Sequence, residues 1–317
     1  MKKKHISIIV PCYNEQDSIP EMYKRVVATF KKLPKYDFEL LFIDNASTDK
    51  SKTVYEKLAK QDKRVRVILM SRNFGSPQPS FAAGIDYCTG EAAVFLHGDI
   101  QDPPEMISSF AAKWEDGYDV VYGVRKSRKG YNFFWNMLYK GFYFLLHKLA
   151  YIDIPLNAGE FSLIDRAVID ELRTIDEYDY YLRCLRAYVG FKQTGVVYVR
   201  DARAHGRSTE SLTSGFWWAK TILINFSFKP LEWISTIAFV VMIFTFMLMV
   251  INVVMIFLLH NSPRGIPTIV LLVLFLGGVQ LLSLSVIAEY LAKIFLEVKH
   301  RPKYIVRETL NIRKKNT

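Results

Sequence analysis

Charge is missing from two long stretches of this 317-residue chain: no Asp, Glu, Lys or Arg stands between Ile234 and Leu259, and none between Ile266 and Ala288. Each run exceeds the roughly 20 residues that a helix rising 1.5 Å per residue needs to cross about 30 Å of hydrocarbon. Two membrane spans are therefore expected, and the lack of ionisable residues inside them speaks against a transporter's relay. Cysteine is scarce: Cys12, Cys88 and Cys184 are widely spaced and form no metal or redox pattern, which excludes a disulfide scaffold and fits a reducing compartment. No GxGxxG follows the first strand and no Walker lysine pattern occurs, so a dinucleotide fold or a P-loop loses its main support. A secretory leader is not expected either, because Ile6–Val10 is too short an apolar core and ends at Pro11. RNA-reading motifs are absent. The net charge of +11 fits an anionic leaflet and anionic substrates rather than nucleic acid.

What is present supplies the orientation. Lys299–Thr317 carries seven Lys or Arg against one Glu, whereas the connecting turn His260–Gly265 has only Arg264. The positive-inside rule then puts both termini and the large first domain in the cytoplasm. The expected layout is a domain over 1–210, a juxtamembrane amphipathic helix over 211–230, two spans over 231–291 and a basic cytoplasmic tail over 292–317. Phe133–Leu149 is almost wholly apolar, with Asn136, Lys140 and His147 on one face. It reads as a helix in the membrane interface or as one buried beneath the domain.

Inside the domain, apolar strands are expected at Ile6–Val10, Phe38–Ile43, Val65–Met70, Ala92–Leu96, Val120–Gly123 and Thr194–Val199, with a short one ending at Ile164. Helices are expected at Asp17–Leu33, Ser51–Gln61, Ala82–Cys88 and Ile175–Val189. Strands alternating with helices at this spacing predict an α/β fold with a largely parallel sheet and helices on its faces. Ligands of such sheets gather at the carboxyl ends of the strands. There this chain places Pro11-Cys12-Tyr13-Asn14-Glu15, Asp44-Asn45-Ala46-Ser47-Thr48-Asp49 and Asp99-Ile100-Gln101-Asp102.

Asp49 is most simply a helix cap. Asp99 and Gln101, two apart, point the same way if the segment is extended, and so share a hard divalent cation that takes oxygen ligands. The plainer reading has Asp99 and Asp102 capping the helix that begins at Pro103. Arg125, Lys126, Arg128 and Lys129 form a phosphate patch or a solvated surface. Arg203 and Arg207, four apart near the membrane, suit a phosphate better than lysines would, or else make ordinary salt bridges. Glu160, in apolar surroundings, is a satisfied buried acid or part of the site.

Together with Ser71-Arg72-Asn73-Phe74-Gly75 and Pro103-Pro104-Glu105, these motifs resemble the family 2 glycosyltransferases of the GT-A fold. Within them the chain is similar to the polyprenyl-phosphate branch, which includes bactoprenol glucosyltransferases and dolichyl-phosphate mannose synthase. The resemblance implies an enzyme of the bacterial cytoplasmic membrane, homo-oligomeric, that moves a sugar from a nucleotide donor, a uridine diphosphate sugar, to polyprenyl phosphate with inversion. It implies nucleotide contacts from Pro11, Tyr13, Glu15, Asp44 and Asp99. A Mg²⁺ or Mn²⁺ would be held by Asp99 and Gln101 with His97 beside them, and Asp99, Gln101 and Arg125 would be catalytic. The acceptor phosphate would meet Arg125, Arg128, Lys140, Arg203 and Arg207. One departure stands out, since His97 occupies the place of the first acid of the family's Asp-x-Asp. Imidazole suits Mn²⁺ better than Mg²⁺. The alternative is an inactive glycosyltransferase-like partner subunit.

Overall fold

The computed structural model describes residues 3–126, 152, 155, 158–200, 221, 224–259 and 265–312. The chain divides into two compact units, one of them comprising the sheet domain together with the segment from Arg301 onward, the other comprising the long apolar helices.

The sheet unit begins with β1 (Lys4–Cys12), α1 (Ser18–Lys31), β2 (Tyr36–Asp44), α2 (Ser51–Gln61), β3 (Val65–Met70), α3 (Gln78–Tyr87) and β4 (Ala92–Phe95). A short 3₁₀ turn (Pro104–Met106) leads to α4 (Ile107–Glu115) and β5 (Val120–Arg125). After β6 (Ala158–Asp165) come α5 (Arg166–Thr174), α6 (Leu182–Tyr188) and β7 (Gln193–Tyr198), and β8 (Val306–Leu310) returns at the far end of the chain. The eight strands lie in the order β7-β5-β6-β4-β1-β2-β3-β8. Pairings β1–β2, β1–β4, β2–β3 and β5–β7 are parallel, and β3–β8, β4–β6 and β5–β6 are antiparallel.

The central strands are largely apolar, interrupted by the buried Ser7 of β1 and Glu39 of β2, because helices cover both faces. Ile6, Ile8, Ile9 and Val10 all lie at 0% exposure. α1 buries Ile19, Met22, Val26 and Phe30, one stripe at helical spacing. α3 crosses β1 so closely that a Cβ on Gly84 would sit 2.3 Å from Ile9 Cγ2, and only glycine fits there.

In the other unit, α7 (Lys229–Leu259) and α8 (Ile266–Val298) are long and apolar enough to cross a membrane. Phe246 and Leu281 stand 65% and 71% exposed. Such exposure of large apolar groups suits lipid rather than water. α8 runs on past Ala288 through Glu289, Lys293 and Glu297 to Val298, a polar extension of the span.

Three expectations need correction. Only Leu182–Tyr188 of the segment Ile175–Val189 is helical, and the neighbouring helix is Arg166–Thr174, started by Asp165 whose carboxylate accepts from Ala167 N at 2.9 Å. The basic tail is not merely a charged flank, because Val306–Leu310 joins the sheet edge. The segment of Asp99 and Gln101 is not extended, since Ile100 lies at φ 58°. The expected helix at Phe133–Leu149, together with Arg128, Lys140, Arg203 and Arg207, lies outside the described residues, as does most of the expected juxtamembrane helix.

Candidate active site

The carboxyl ends of β1, β2 and β4 form one polar edge, and the backbone stitches them together. Asn45 N donates to Cys12 O at 2.9 Å and Gly98 N to Pro11 O at 3.2 Å. Asn14 N donates to Ser47 Oγ at 2.9 Å while its side-chain oxygen accepts from Thr48 N at 2.8 Å. Asn45 Oδ1 accepts from Phe74 N at 3.0 Å, which holds the loop after β3 against the same edge. Asn14, Ala46 and Ile100 carry positive φ at 56°, 59° and 58°. For alanine, and more so for a β-branched isoleucine, that region is strained, and strain of this kind gathers where a binding site over-determines the backbone. Gly98 is required in the third loop, since a Cβ would lie 2.8 Å from Cys12 Sγ and 2.9 Å from Pro11 O.

Of the expected nucleotide residues, Pro11 is built into β1, Tyr13 is 44% exposed at the edge, and Glu15 is buried and accepts from Ser18 Oγ at 2.8 Å. Glu15 thus closes the start of α1. Asp44 is 3% exposed, accepting from Ser47 N at 2.9 Å and from Ser47 Oγ at 2.5 Å. Burial pushes its carboxyl up, against the hydrogen bonds of Ser47. Asp49 accepts from Ser51 N at 3.0 Å and from Gln16 N at 3.2 Å, so it both caps α2 and ties that helix to the loop after β1.

The Asp99 turn is half-buried, and Asp99 Oδ1 accepts from Gln101 N at 3.3 Å. Among the described residues no three His, Cys, Asp or Glu side chains converge as a metal cage. A lone carboxylate on an open edge still fits a hard cation, which keeps most of its water and takes phosphate oxygens from its substrate. His97 is engaged elsewhere. Its Nε2 faces Glu160 Oε2 at 3.5 Å, and its ring meets Phe81 edge-on at 5.4 Å. Gln78 Nε2 donates to the other oxygen of Glu160 at 3.1 Å. Burial alone pushes the Glu160 carboxyl up, but the hydrogen bond and charge of His97, with Arg183 adding, hold it well below the usual range. Burial likewise works against the charged imidazole, and Glu160 outweighs it and lifts His97.

Asp102 does not serve as a helix cap. It is fully buried, accepts from Tyr198 OH at 2.5 Å, and has Arg200 Nε at 3.5 Å. Arg125 Nε reaches the same phenol oxygen at 3.4 Å. Arg186, at 0% exposure, donates to Gly159 O at 3.3 Å and lies over the Tyr122 ring, and its Nε and Nη2 have no hydrogen-bond partner. Burial lowers its pKa to about 10. Four guanidiniums, Arg125, Arg183, Arg186 and Arg200, thus surround two carboxylates, Glu160 and Asp102, an excess of positive charge that suits anionic substrates. Sequence reasoning singled out Asp44, Asp99 and Arg125 and left Glu160 open. It missed Gln78, Tyr198, Arg186 and Arg200, which nothing but their distant partners distinguishes.

The family model for glycosyl transferase family 2 matches residues 7–173. The chain is 38% identical over 314 residues to the uncharacterized glycosyltransferase YkcC of Bacillus subtilis (strain 168), with 98% of this chain and 97% of that protein covered. It is 33% identical over 304 residues to the SfII prophage-derived bactoprenol glucosyl transferase of Shigella flexneri, at 96% and 98% coverage. Against the prophage bactoprenol glucosyl transferase homolog of Escherichia coli (strain K12) the identity is 32% over 302 residues, at 95% and 98% coverage.

Proposed function

The chain belongs to glycosyl transferase family 2, and on that premise we propose that it transfers a sugar from a uridine diphosphate sugar to polyprenyl phosphate at the cytoplasmic face of a bacterial membrane. The observation that carries this reading is the strained, stitched edge where Asp44 at the end of β2 and the Asp99 turn after β4 flank the end of β1 from either side. Support comes from the excess of guanidiniums around Glu160 and Asp102, from the two long apolar helices, and from relatives named for bactoprenol glucosylation that align along nearly the whole chain.

Asp44 holds the base of the donor while the Asp99 turn faces its diphosphate. Arg125, already anchored to Tyr198, holds the acceptor phosphate with the basic residues Arg128, Lys140, Arg203 and Arg207. The acceptor is ionised at neutral pH, so no residue need remove a proton. A phosphate oxygen attacks the anomeric carbon from the face opposite the departing diphosphate; the new C–O bond forms as the old one breaks, and the anomer inverts. Holding the two substrates in line supplies most of the rate. The chemistry that a Mg²⁺ or Mn²⁺ beside Asp99 and Gln101 brings is neutralisation of charge growing on the leaving diphosphate.

The test is a donor screen with undecaprenyl phosphate in vesicles, run with Mg²⁺ and with Mn²⁺. Transfer from one donor, abolished in a folded Asp99→Ala variant, is expected. Equal transfer by that variant would remove the role given to Asp99. An inactive partner subunit would bind no donor and gain no heat stability from one.

A further inference from the structure

β8 is reached only after the chain has passed through α7 and α8, yet it pairs with the strand next to β2. Asp44 pairs with Leu69, and Leu69 with Glu308, so these three share one row across β2, β3 and β8. The following pair is Met70 with Val306, which leaves Arg307 without an opposite residue at an irregularity in the ladder. A bulge of this sort re-aims the side chain it carries and is frequent beside active sites. Ser71 N donates to Ile305 O at 2.9 Å, so the pairing continues to the tip of β3, where the polar edge lies.

Two strand spacings, roughly 10 Å, separate the backbones of Asp44 and Arg307, a gap that an arginine spans with room for the edge of a ring. The guanidinium is exposed and makes no salt bridge among the described residues. Its neighbours are otherwise engaged: Glu308 pairs with Lys52 at 2.8 Å, and Arg72 lies over the Phe74 ring. Burial raises the Asp44 carboxyl, and the positive charge of Arg307 opposes that rise, which ties the two groups electrostatically.

We infer that Arg307, delivered by the C-terminal strand, is a donor-base contact that works with Asp44 to select keto bases over amino bases. The inference rests on the reading of Asp44 as the base-binding acid. A carboxylate accepts the ring N–H of uracil or guanine, and a guanidinium beside it donates to the adjoining keto oxygen. Cytosine and adenine offer a bare ring nitrogen and an amino group at those places. They would set acceptor against acceptor and donor against donor, an arrangement that discriminates strongly because polar groups are left unmatched.

The experiment measures binding of UDP, GDP, CDP and ADP to the full chain in detergent by calorimetry. The wild type is expected to bind UDP or GDP at least tenfold tighter than CDP and ADP. Arg307→Ala should weaken the keto nucleotide about tenfold and leave the other two unchanged, with Arg307→Lys in between. Glu308→Gln, on the same strand, should keep wild-type discrimination. The inference is overturned if Arg307→Ala binds UDP and GDP as the wild type does, or if it loses all four nucleotides equally together with thermal stability. A wild type that binds none of the four would instead overturn the functional reading, and the inference with it.

Discussion

Replacing Glu160 by alanine is expected to cost about 3 kcal/mol of stability, because the carboxylate answers to several groups that cannot follow it into solvent. Gln78 Nε2 loses its acceptor at 3.1 Å and His97 Nε2 its partner at 3.5 Å. Arg186, fully buried with two nitrogens lacking hydrogen-bond partners, loses the negative charge that opposes the effect of its burial. Removing one member of a buried ion pair costs roughly 3–5 kcal/mol, and the side-chain exposure of Glu160, 18%, argues for the lower end of that range. For a domain of about 200 residues each kcal/mol moves Tm by roughly 2–4 °C, so a fall of about 6–12 °C is expected by circular dichroism in detergent. Glu160→Gln keeps the shape and a hydrogen bond to Gln78 but not the charge, and should fall about half as far. A Glu160→Ala protein melting within 2 °C of the wild type would refute the reasoning.

Gly98→Ala should press a methyl against Cys12 Sγ and Pro11 O, cost about 1–3 kcal/mol as overpacking does, and shift the Asp99 turn. Donor affinity in calorimetry should drop at least tenfold while the circular dichroism spectrum is retained. At the opposite end of the sheet, Glu39 is 2% exposed, is paired with Arg66, and accepts from Ser7 Oγ at 2.5 Å and Thr89 N at 2.6 Å. Glu39→Ala should lower stability by about 3–5 kcal/mol and leave the donor KM of the protein that remains folded unchanged. Burial pushes the Cys88 and Cys184 thiols up to about 11 and raises Cys12 as well. A raised thiol pKa keeps the unreactive protonated form until the pH nears that value. At pH 8 the native protein should therefore release no colour from a disulfide reagent, and three equivalents per chain should react in SDS.

The strands and the acids at their ends were legible in the chain because both follow local rules. Val65–Met70 and Ser51–Gln61 have the bounds that apolar runs and helical spacing predict. Arg166–Thr174 carried its own signal in the cap Asp165 and the spacing of Val168, Ile169 and Leu172, which the stretch of acids and tyrosines after it outweighed. β8 escaped because Arg307 and Glu308 make Val306–Leu310 look like part of a charged tail, and charge on an edge strand is how sheets discourage unwanted pairing. The site was legible only as a set of edges. Gln78 meets Glu160 across 82 residues and Tyr198 meets Asp102 across 96, and no local pattern announces contacts at such separations.

Lys52 and Glu308 meet across 256 positions of chain. During synthesis the flank of β3 must therefore stay open while both lipid-seeking helices are made, and it is closed only after they have emerged. Contacts this distant in the chain form slowly, and an unpaired strand flank invites misassociation in the interval. Completion of the sheet beside this polar edge is thus ordered in time behind synthesis of the two apolar helices, so a nascent chain stalled before Val306 would carry Asp44 and Asp99 and still lack the strand that covers β3.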